Sequence, residues 1–216
     1  MERRAVRQGE GTSVDTAILR IINGLSGHMK FFDIAMRVIT KYGYLLYVVY
    51  GIVRWFAPDS KTQRTVNGRK SLLYAFFAVI IGSVISWIWG AVWFRNRPFV
   101  TLPEDIHPLI SYGESASFPS SHSALSLSVA LRLFIDGLPK AGWLIGWSMV
   151  IAFSRLYAGL HYPSDILGGF ALAFISNCLV VRIAKVRRLV NFIYGTWETI
   201  VGVFLFLRTH RNGRHH

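Results

Sequence analysis

Ser154-Arg155-Leu156-Tyr157-Ala158-Gly159-Leu160-His161-Tyr162-Pro163-Ser164-Asp165 sets an arginine, a histidine and an aspartate at fixed spacing inside an otherwise apolar stretch. Ionisable groups at membrane depth are costly, so they line pockets or pathways rather than lipid. Two clusters upstream add to this one. Arg95-Asn96-Arg97-Pro98 closes one apolar run, and Phe118-Pro119-Ser120-Ser121-His122 opens another. Together they bring arginines, two histidines, an aspartate and serines, the groups needed to hold an anionic phosphoryl group and attack it.

The rest of the chain defines the class. Of 216 residues, 52% are hydrophobic and only 16% charged. That charge is too sparse to cover a soluble domain of this size, and a polytopic membrane protein is expected. The net charge of +13 falls largely in short segments between apolar runs. The positive-inside tendency and attraction to anionic lipid explain this better than nucleic acid, for which the sequence has no motif. Cys178, the sole cysteine, excludes an intrachain disulfide and reads as a small buried hydrophobe. Arg3, Arg4 and Arg7 are not followed by an apolar core, so no cleaved leader is expected.

Five apolar segments, near 31–57, 71–94, 119–136, 141–159 and 163–184, approach the roughly 20 residues a span requires. The first carries Arg37 and Lys41, and the third is short. Before them Val14, Ile18, Ile21, Ile22 and Leu25 recur at helical spacing with Asp15, Arg20 and Asn23 between, as in a helix lying in the interface. After them, 189–207 reads as an interfacial helix in preference to a sixth span, because Arg208, Arg211 and Arg214 favour the cytoplasmic side. The expected fold is an all-α integral membrane bundle of five spans, six if 189–207 crosses, with an N-terminal interfacial helix. It forms one membrane-embedded domain over 1–216, with its motif-bearing core near 71–170.

Lys61, Arg64, Arg69 and Lys70 lie after the first span, and Arg182, Lys185, Arg187 and Arg188 after the fifth. With five spans both groups share one face, the cytoplasmic one. All three polar clusters then fall on the outer face, because even-numbered spans end there and odd-numbered ones begin there. The Arg3–Arg7 tail also lies outside, the one element that runs against the rule.

Each candidate residue has a plainer reading. Arg97 before Pro98 is an interfacial anchor ending a helix or a phosphate ligand. His122, behind Pro119-Ser120-Ser121, is an interfacial histidine or part of an anion site at a helix start, where free amides point outward. Asp165 complements a helix dipole or accepts a hydrogen bond from His161, fixing its tautomer and freeing the other nitrogen as a nucleophile. Attack on phosphorus needs a nucleophile in line, cations and amides on the oxygens, and an acid for the leaving oxygen. His161 with Asp165, then Arg97, Arg155 and the amides around Ser120 and Ser121, then His122, fill those roles. The sequence has no carboxylate cluster suited to Mg²⁺, so neither metal nor cofactor is expected.

At these residues the chain resembles the type 2 phosphatidic acid phosphatase superfamily, whose motifs are Lys-x6-Arg-Pro, Pro-Ser-Gly-His and Ser-Arg-x5-His-x3-Asp. The third is matched by Ser154, Arg155, His161 and Asp165, and the second by Pro119, Ser120 and His122 with Ser121 at the Gly position. The first is matched only at Arg97-Pro98, with Gly90 at the Lys position and Arg95 as its candidate replacement. The resemblance implies a helical bundle, a phosphohistidine intermediate and a lipid phosphate substrate. Arg97-Pro98-Phe99-Val100, His107-Pro108-Leu109-Ile110 and Ala116-Ser117-Phe118-Pro119 resemble the bacitracin-resistance type of undecaprenyl pyrophosphate phosphatase. That likeness implies release of a terminal phosphate from a polyprenyl carrier at the outer face of a bacterial inner membrane. Glu114 and His107 in the outer loop are either substrate contacts or, as is commoner for such residues, simply solvated. A phosphatase of phosphatidylglycerophosphate or phosphatidate would use the same pocket. A non-enzymatic channel or scaffold is the reading from another class, and a soluble haloperoxidase is excluded by the apolar spans. No feature of the sequence specifies an oligomeric state.

Overall fold

A computed structural model describes residues 13–57, 67–113 and 115–212. Among them all regular structure is helical: α1 (Ser13–Asn23), α2 (Lys30–Tyr42), α3 (Leu45–Phe56), α4 (Gly68–Val92), α5 (Pro98–Thr101), α6 (Ser121–Ile135), α7 (Ala141–Tyr157), α8 (Pro163–Arg182) and α9 (Ala184–Asn212). Lys61, Arg64, Glu114, Arg214 and the Arg3–Arg7 tail lie outside the described residues. Among the described helices α4 and α8 are long and apolar enough to cross a membrane, while α3 and α6 are shorter apolar helices. Phe31, Trp87, Val92, Trp143 and Leu167 are each more than 60% exposed. An exterior this apolar suits lipid rather than water.

Helix α6 is the hub, packed against α4, α7 and α8, with α4 also against α8. It can be central because its buried positions are mostly small: Ser123, Ala124, Ser126, Ser128 and Ala130. Small residues let helices approach closely where lipid removes the hydrophobic drive for association. Asn177 Nδ2 of α8 donates to the Ser128 carbonyl at 3.0 Å. Glycine does the same work one end further on. A Cβ at Gly169 would stand 2.7 Å from the Ser120 carbonyl oxygen, and one at Gly168 would enter the Phe118 ring at 2.3 Å. The Ser120 amide donates to the Asp165 carbonyl at 3.0 Å. These contacts seat the second polar cluster directly on the third.

The expected first span is divided. Residues 31–57 form α2 and α3, joined at Gly43 and Tyr44, both of which keep right-handed helical dihedrals. Helix α7 comes close at Gly43, where a Cβ would meet Ile151 Cγ1 at 3.0 Å. Trp147 Nε1 donates to the Gly43 carbonyl at 2.9 Å, satisfying the backbone at the break. The pair still spans the bundle. Asp33 accepts from Tyr157 Oη at 2.6 Å at one end, and the Trp55 carbonyl accepts from Arg69 Nε at 2.9 Å at the other.

Helix α1 forms where expected, but its polarity is reversed from that of an interfacial helix on a soluble core. Asp15, Leu19 and Asn23, spaced four apart, are buried against the bundle, while Val14, Ile18, Ile21 and Leu25 point outward. Cys178, expected buried, is exposed on the outer side of α8, the place of an apolar residue in lipid. Helix α9 begins earlier and runs further than 189–207. It docks on the start of α4 through Asn67 to Tyr194 Oη at 2.9 Å and Lys70 to Asn191 Oδ1 at 3.0 Å.

Gly169→Ala should lower the thermal midpoint in detergent by an amount equivalent to about 1–3 kcal/mol, the usual cost of overpacking. Gly146→Ala, with nothing within 4 Å of its Cβ, should leave it unchanged. Equal melting of the two variants would refute the close seating of α6 on α8.

Candidate active site

The end of α4, the starts of α6 and α8, and the end of α7 meet at one end of the bundle. His161 sits in the α7–α8 connection and is 2% exposed. Its Nδ1 lies 2.9 Å from the Ser117 carbonyl oxygen and 3.6 Å from Asp165 Oδ2. Both neighbours are acceptors, so Nδ1 carries the proton. Nε2 lies 3.2 Å from Arg97 Nη1, and guanidinium can only donate, so Nε2 presents a lone pair. The tautomer expected for a nucleophile is present, but its nearest holder is the Ser117 carbonyl, with Asp165 behind it at ionic distance. Burial pushes the His161 imidazole down to about 4 from an ordinary 6.5. The Asp165 hydrogen bond opposes this, and repulsion from Arg155 and Arg97 adds to it.

Asp165 is fully buried. It is the third residue of α8, and its Oδ2 accepts from the Tyr162 amide at 2.8 Å, closing half of a capping box. Oδ2 also accepts from Ser117 Oγ at 2.5 Å, and Oδ1 from Arg95 Nη1 at 2.6 Å. Arg95, expected as a phosphate ligand in place of the missing lysine, is therefore committed elsewhere: its Nη2 donates to Asp15 Oδ2 at 2.9 Å. At Gly90, the lysine position, a Cβ would stand 3.1 Å from Ala116, so the loop that carries Ser115 to Ser117 lies against that helix face.

Arg155 and Arg97 are the remaining cations. Arg97 donates to the Leu160 carbonyl at 2.9 Å and to Ser115 Oγ at 3.0 Å. Arg155 is 1% exposed and donates from Nη1 to the Thr40 carbonyl at 3.1 Å. Its Nε and Nη2 are buried without a hydrogen-bond partner. A buried guanidinium with two unmet donors is a costly arrangement unless an anion arrives, and their fork suits two phosphoryl oxygens. Ser154, the neighbouring motif residue, donates to Ile151 O and Thr40 Oγ1 and ties α7 to α2.

His122 lies within electrostatic reach of Arg155, His161 and Arg97. It and Ser121 line one end of an apolar groove of about 750 Å³ between α3, α4 and α6. Ser120 Oγ turns inward to Ser123 Oγ at 3.1 Å, and Ser121 Oγ pairs with Ser86 Oγ at 3.1 Å. Any phosphate contact in this segment thus falls to the first-turn amides of α6, which have no intrahelical partner. His107 is exposed, its backbone pinned by Asn23. Glu114 is outside the described residues.

Sequence reasoning missed Tyr112, whose ring lies 4.2 Å from Arg97 Cζ and 5.2 Å from Arg155 Cζ. It missed Ser117 and the role of Asp15 as well. The spacing of Asp15, Leu19 and Asn23 was the available signal for α1. Nothing in the sequence marks Tyr112, and Ser117 is marked only as part of the Ala116-Ser117-Phe118-Pro119 resemblance. Among the described residues no group of three or more His, Cys, Asp or Glu side chains could hold a metal ion.

A helical bundle with an apolar exterior and, at one end, a buried imidazole against the Arg97 guanidinium, with two Arg155 donors left unmet, fits a membrane phosphatase. The sequence profile of the PAP2 superfamily matches residues 71–189. Undecaprenyl-diphosphatase BcrC of Bacillus subtilis is 32% identical over 186 residues, 85% of this chain and 92% of that protein. The chain belongs to the PAP2 superfamily. Among solved structures, Aquifex aeolicus LpxE superposes with a TM-score of 0.66 at 20% identity, over 81% of this chain and 99% of that one. A PAP2-type phosphatidylglycerolphosphate phosphatase from Bacillus subtilis gives 0.54 at 21% identity, over 80% and 87%. At these identities the two structures attest the fold.

Inorganic phosphate should raise the thermal midpoint of the purified protein, by the equivalent of about 2.7 kcal/mol at a hundred times its dissociation constant. Arg155→Ala should remove most of that gain; an equal gain in the variant would move the anion elsewhere. The folded His161 stays neutral to about pH 4, whereas the unfolded ring protonates near 6.5. Its contribution to stability is thus present above pH 6.5 and lost as pH falls toward 4. Wild-type melting temperature should therefore drop more steeply over that window than that of His161→Gln. Parallel curves would count against a neutral buried imidazole.

Proposed function

We propose that this protein removes the terminal phosphate of undecaprenyl pyrophosphate, yielding undecaprenyl phosphate, through a phosphohistidine at His161. The placing of the two imidazoles carries the reading. His161 is enclosed on the protein side, while His122 borders the apolar groove. A substrate whose polyprenyl chain lies in that groove would direct its leaving oxygen toward His122 and its terminal phosphorus toward His161.

In the first step the Nε2 lone pair forms an N–P bond as the bridging P–O bond breaks. His122, protonated beside the bound anion, gives its proton to the leaving oxygen. Arg97, Arg155 and the α6 amides take the charge on the three phosphoryl oxygens. In the second step His122 accepts a proton from water, whose oxygen attacks phosphorus. The N–P bond breaks, its electron pair returns to Nε2, and inorganic phosphate leaves. Asp165 steadies the imidazolium that exists between the steps. The donor set is cationic and imidazole-based, and the reaction needs no metal.

The polar end is read as the outer face of a bacterial inner membrane. The five crossings are α2–α3, α4, α6, α7 and α8, and α9 is an interfacial helix on the cytoplasmic side. The polar contacts of α9 with Asn67, Arg69 and Lys70 at the basic end of α4 support this. One membrane-embedded domain carries all of it.

Purified protein should release phosphate from undecaprenyl pyrophosphate in preference to phosphatidylglycerophosphate and phosphatidate, with EDTA making little difference. His161→Ala should abolish release while melting normally. Acid-quenched wild type should be free of, and alkali-quenched wild type should retain, label from substrate carrying ³²P in its terminal phosphate. Preference for a glycerophospholipid would overturn the substrate, and an active His161→Ala the mechanism.

A further inference from the structure

Helix α1 lies outside residues 71–189, the part of the chain that matches the superfamily, yet it delivers a carboxylate to the site. Asp15 is 5% exposed. Its Oδ1 accepts from the Ser164 amide at 2.8 Å, and its Oδ2 from Arg95 Nη2 at 2.9 Å and from Ser164 Oγ. Arg95 Nη1 in turn donates to Asp165 Oδ1 at 2.6 Å and to Ser164 Oγ at 2.7 Å. Arg95 is also stacked on the Tyr162 ring, Cζ to centroid 4.2 Å. The guanidinium thus bridges two carboxylates, one on α1 and one beside the nucleophile.

We infer that Asp15 is a positioning residue for phosphoryl transfer, acting on His161 through Arg95 and Asp165. The charge arithmetic is direct. Paired with Arg95 alone, Asp165 would have its negative charge cancelled by a cation 2.6 Å away. With Asp15 taking the other side of the guanidinium, Asp15 and Arg95 neutralise each other and Asp165 keeps its charge for the imidazolium at His161. That field matters after the N–P bond begins to form and little before, so Asp15 bears on turnover and not on substrate affinity. Arg95 holds Asp165 in place, and Asp15 keeps Arg95 from silencing it.

This inference rests on His161 being the nucleophile, and the test keeps the two apart. Asp15→Asn, assayed as full-length protein in detergent with undecaprenyl pyrophosphate, should lower kcat roughly tenfold with KM nearly unchanged. Asp15→Glu should recover part of the loss. In an Arg95→Gln background Asp15→Asn should cost nothing further, because the route of its effect is gone. Asn23→Ala, which loosens α1 from Tyr157 and His107 without touching Arg95, should keep the wild-type kcat. An Asp15→Asn protein with normal kcat, losses that add in the double variant, or an equal loss in Asn23→Ala would each overturn the proposal. If Asp15→Asn does not fold, the Asp15→Glu and Asn23→Ala comparison decides alone: a kcat loss confined to Asp15→Glu supports it, and equal values refute it. His161→Ala separates the premises, since activity there removes the nucleophile and not merely the helper.

Discussion

A carboxylate with no exposure must be surrounded by donors, and at Asp165 meeting that demand assembles the site. Its partners come from three places in the chain: His161 and the Tyr162 amide in the connection that leads into its own helix, Ser117 before α6, and Arg95 after α4. Removing one partner of a buried charge set costs about 3–5 kcal/mol, so these segments are not free to drift. The Ser117 segment, held by its hydroxyl on Asp165, offers its carbonyl to His161 Nδ1 at 2.9 Å. The same carboxylate therefore holds the loop that sets the tautomer and, on the proposed mechanism, would supply the charge that a reacting imidazole needs.

Lipid changes what an amphipathic helix means. In water, the polar stripe of α1 would face solvent and its Val14, Ile18, Ile21 side would face the core. Here the bundle end is the polar phase and the surroundings are apolar, so Asp15 and Asn23 turn inward and the aliphatic side turns out. The same reversal explains why Cys178 is exposed and why the buried face of α6 is rich in serine. Periodicity reports that two faces exist; which one is buried depends on the solvent.

That is also where the sequence stopped being readable. The class, the helical content and the three clusters follow from composition and spacing, because runs of apolar residues broken by Arg, His and Asp have few other uses. Residues that act through geometry leave no such trace. Ser117 matters for its carbonyl, a group every residue has, and for a hydroxyl whose carboxylate partner lies 48 residues away in the chain. Tyr112 matters for a ring placed by a loop without regular structure. Arg95 looked like a spare phosphate ligand because its two carboxylate partners are 80 and 70 residues away in the chain. The break at Gly43 is equally silent, since glycine within an apolar run also fits an unbroken helix; the nearby Ile39 carbonyl and the approach of α7 give it a reason.

Arg97 and Arg155 both reach the ring of Tyr112, two like charges in a buried place. The electron-rich face of an aromatic ring offsets a cation by about 0.5–1 kcal/mol at exposed sites and more when desolvated, which is less than the cost of burying two guanidiniums. The imbalance is partly met for Arg97 by carbonyls and Ser115, and left open for Arg155 at two of its nitrogens. A site that waits with an unmet cation binds its anion strongly, and strong ground-state binding alone does not speed a reaction. On the proposed mechanism the counterweight is the neutral, lone-pair-bearing Nε2 held against Arg97: a phosphate that satisfied the arginines would be brought against the proposed nucleophile by the same contacts, so binding and approach would become one event.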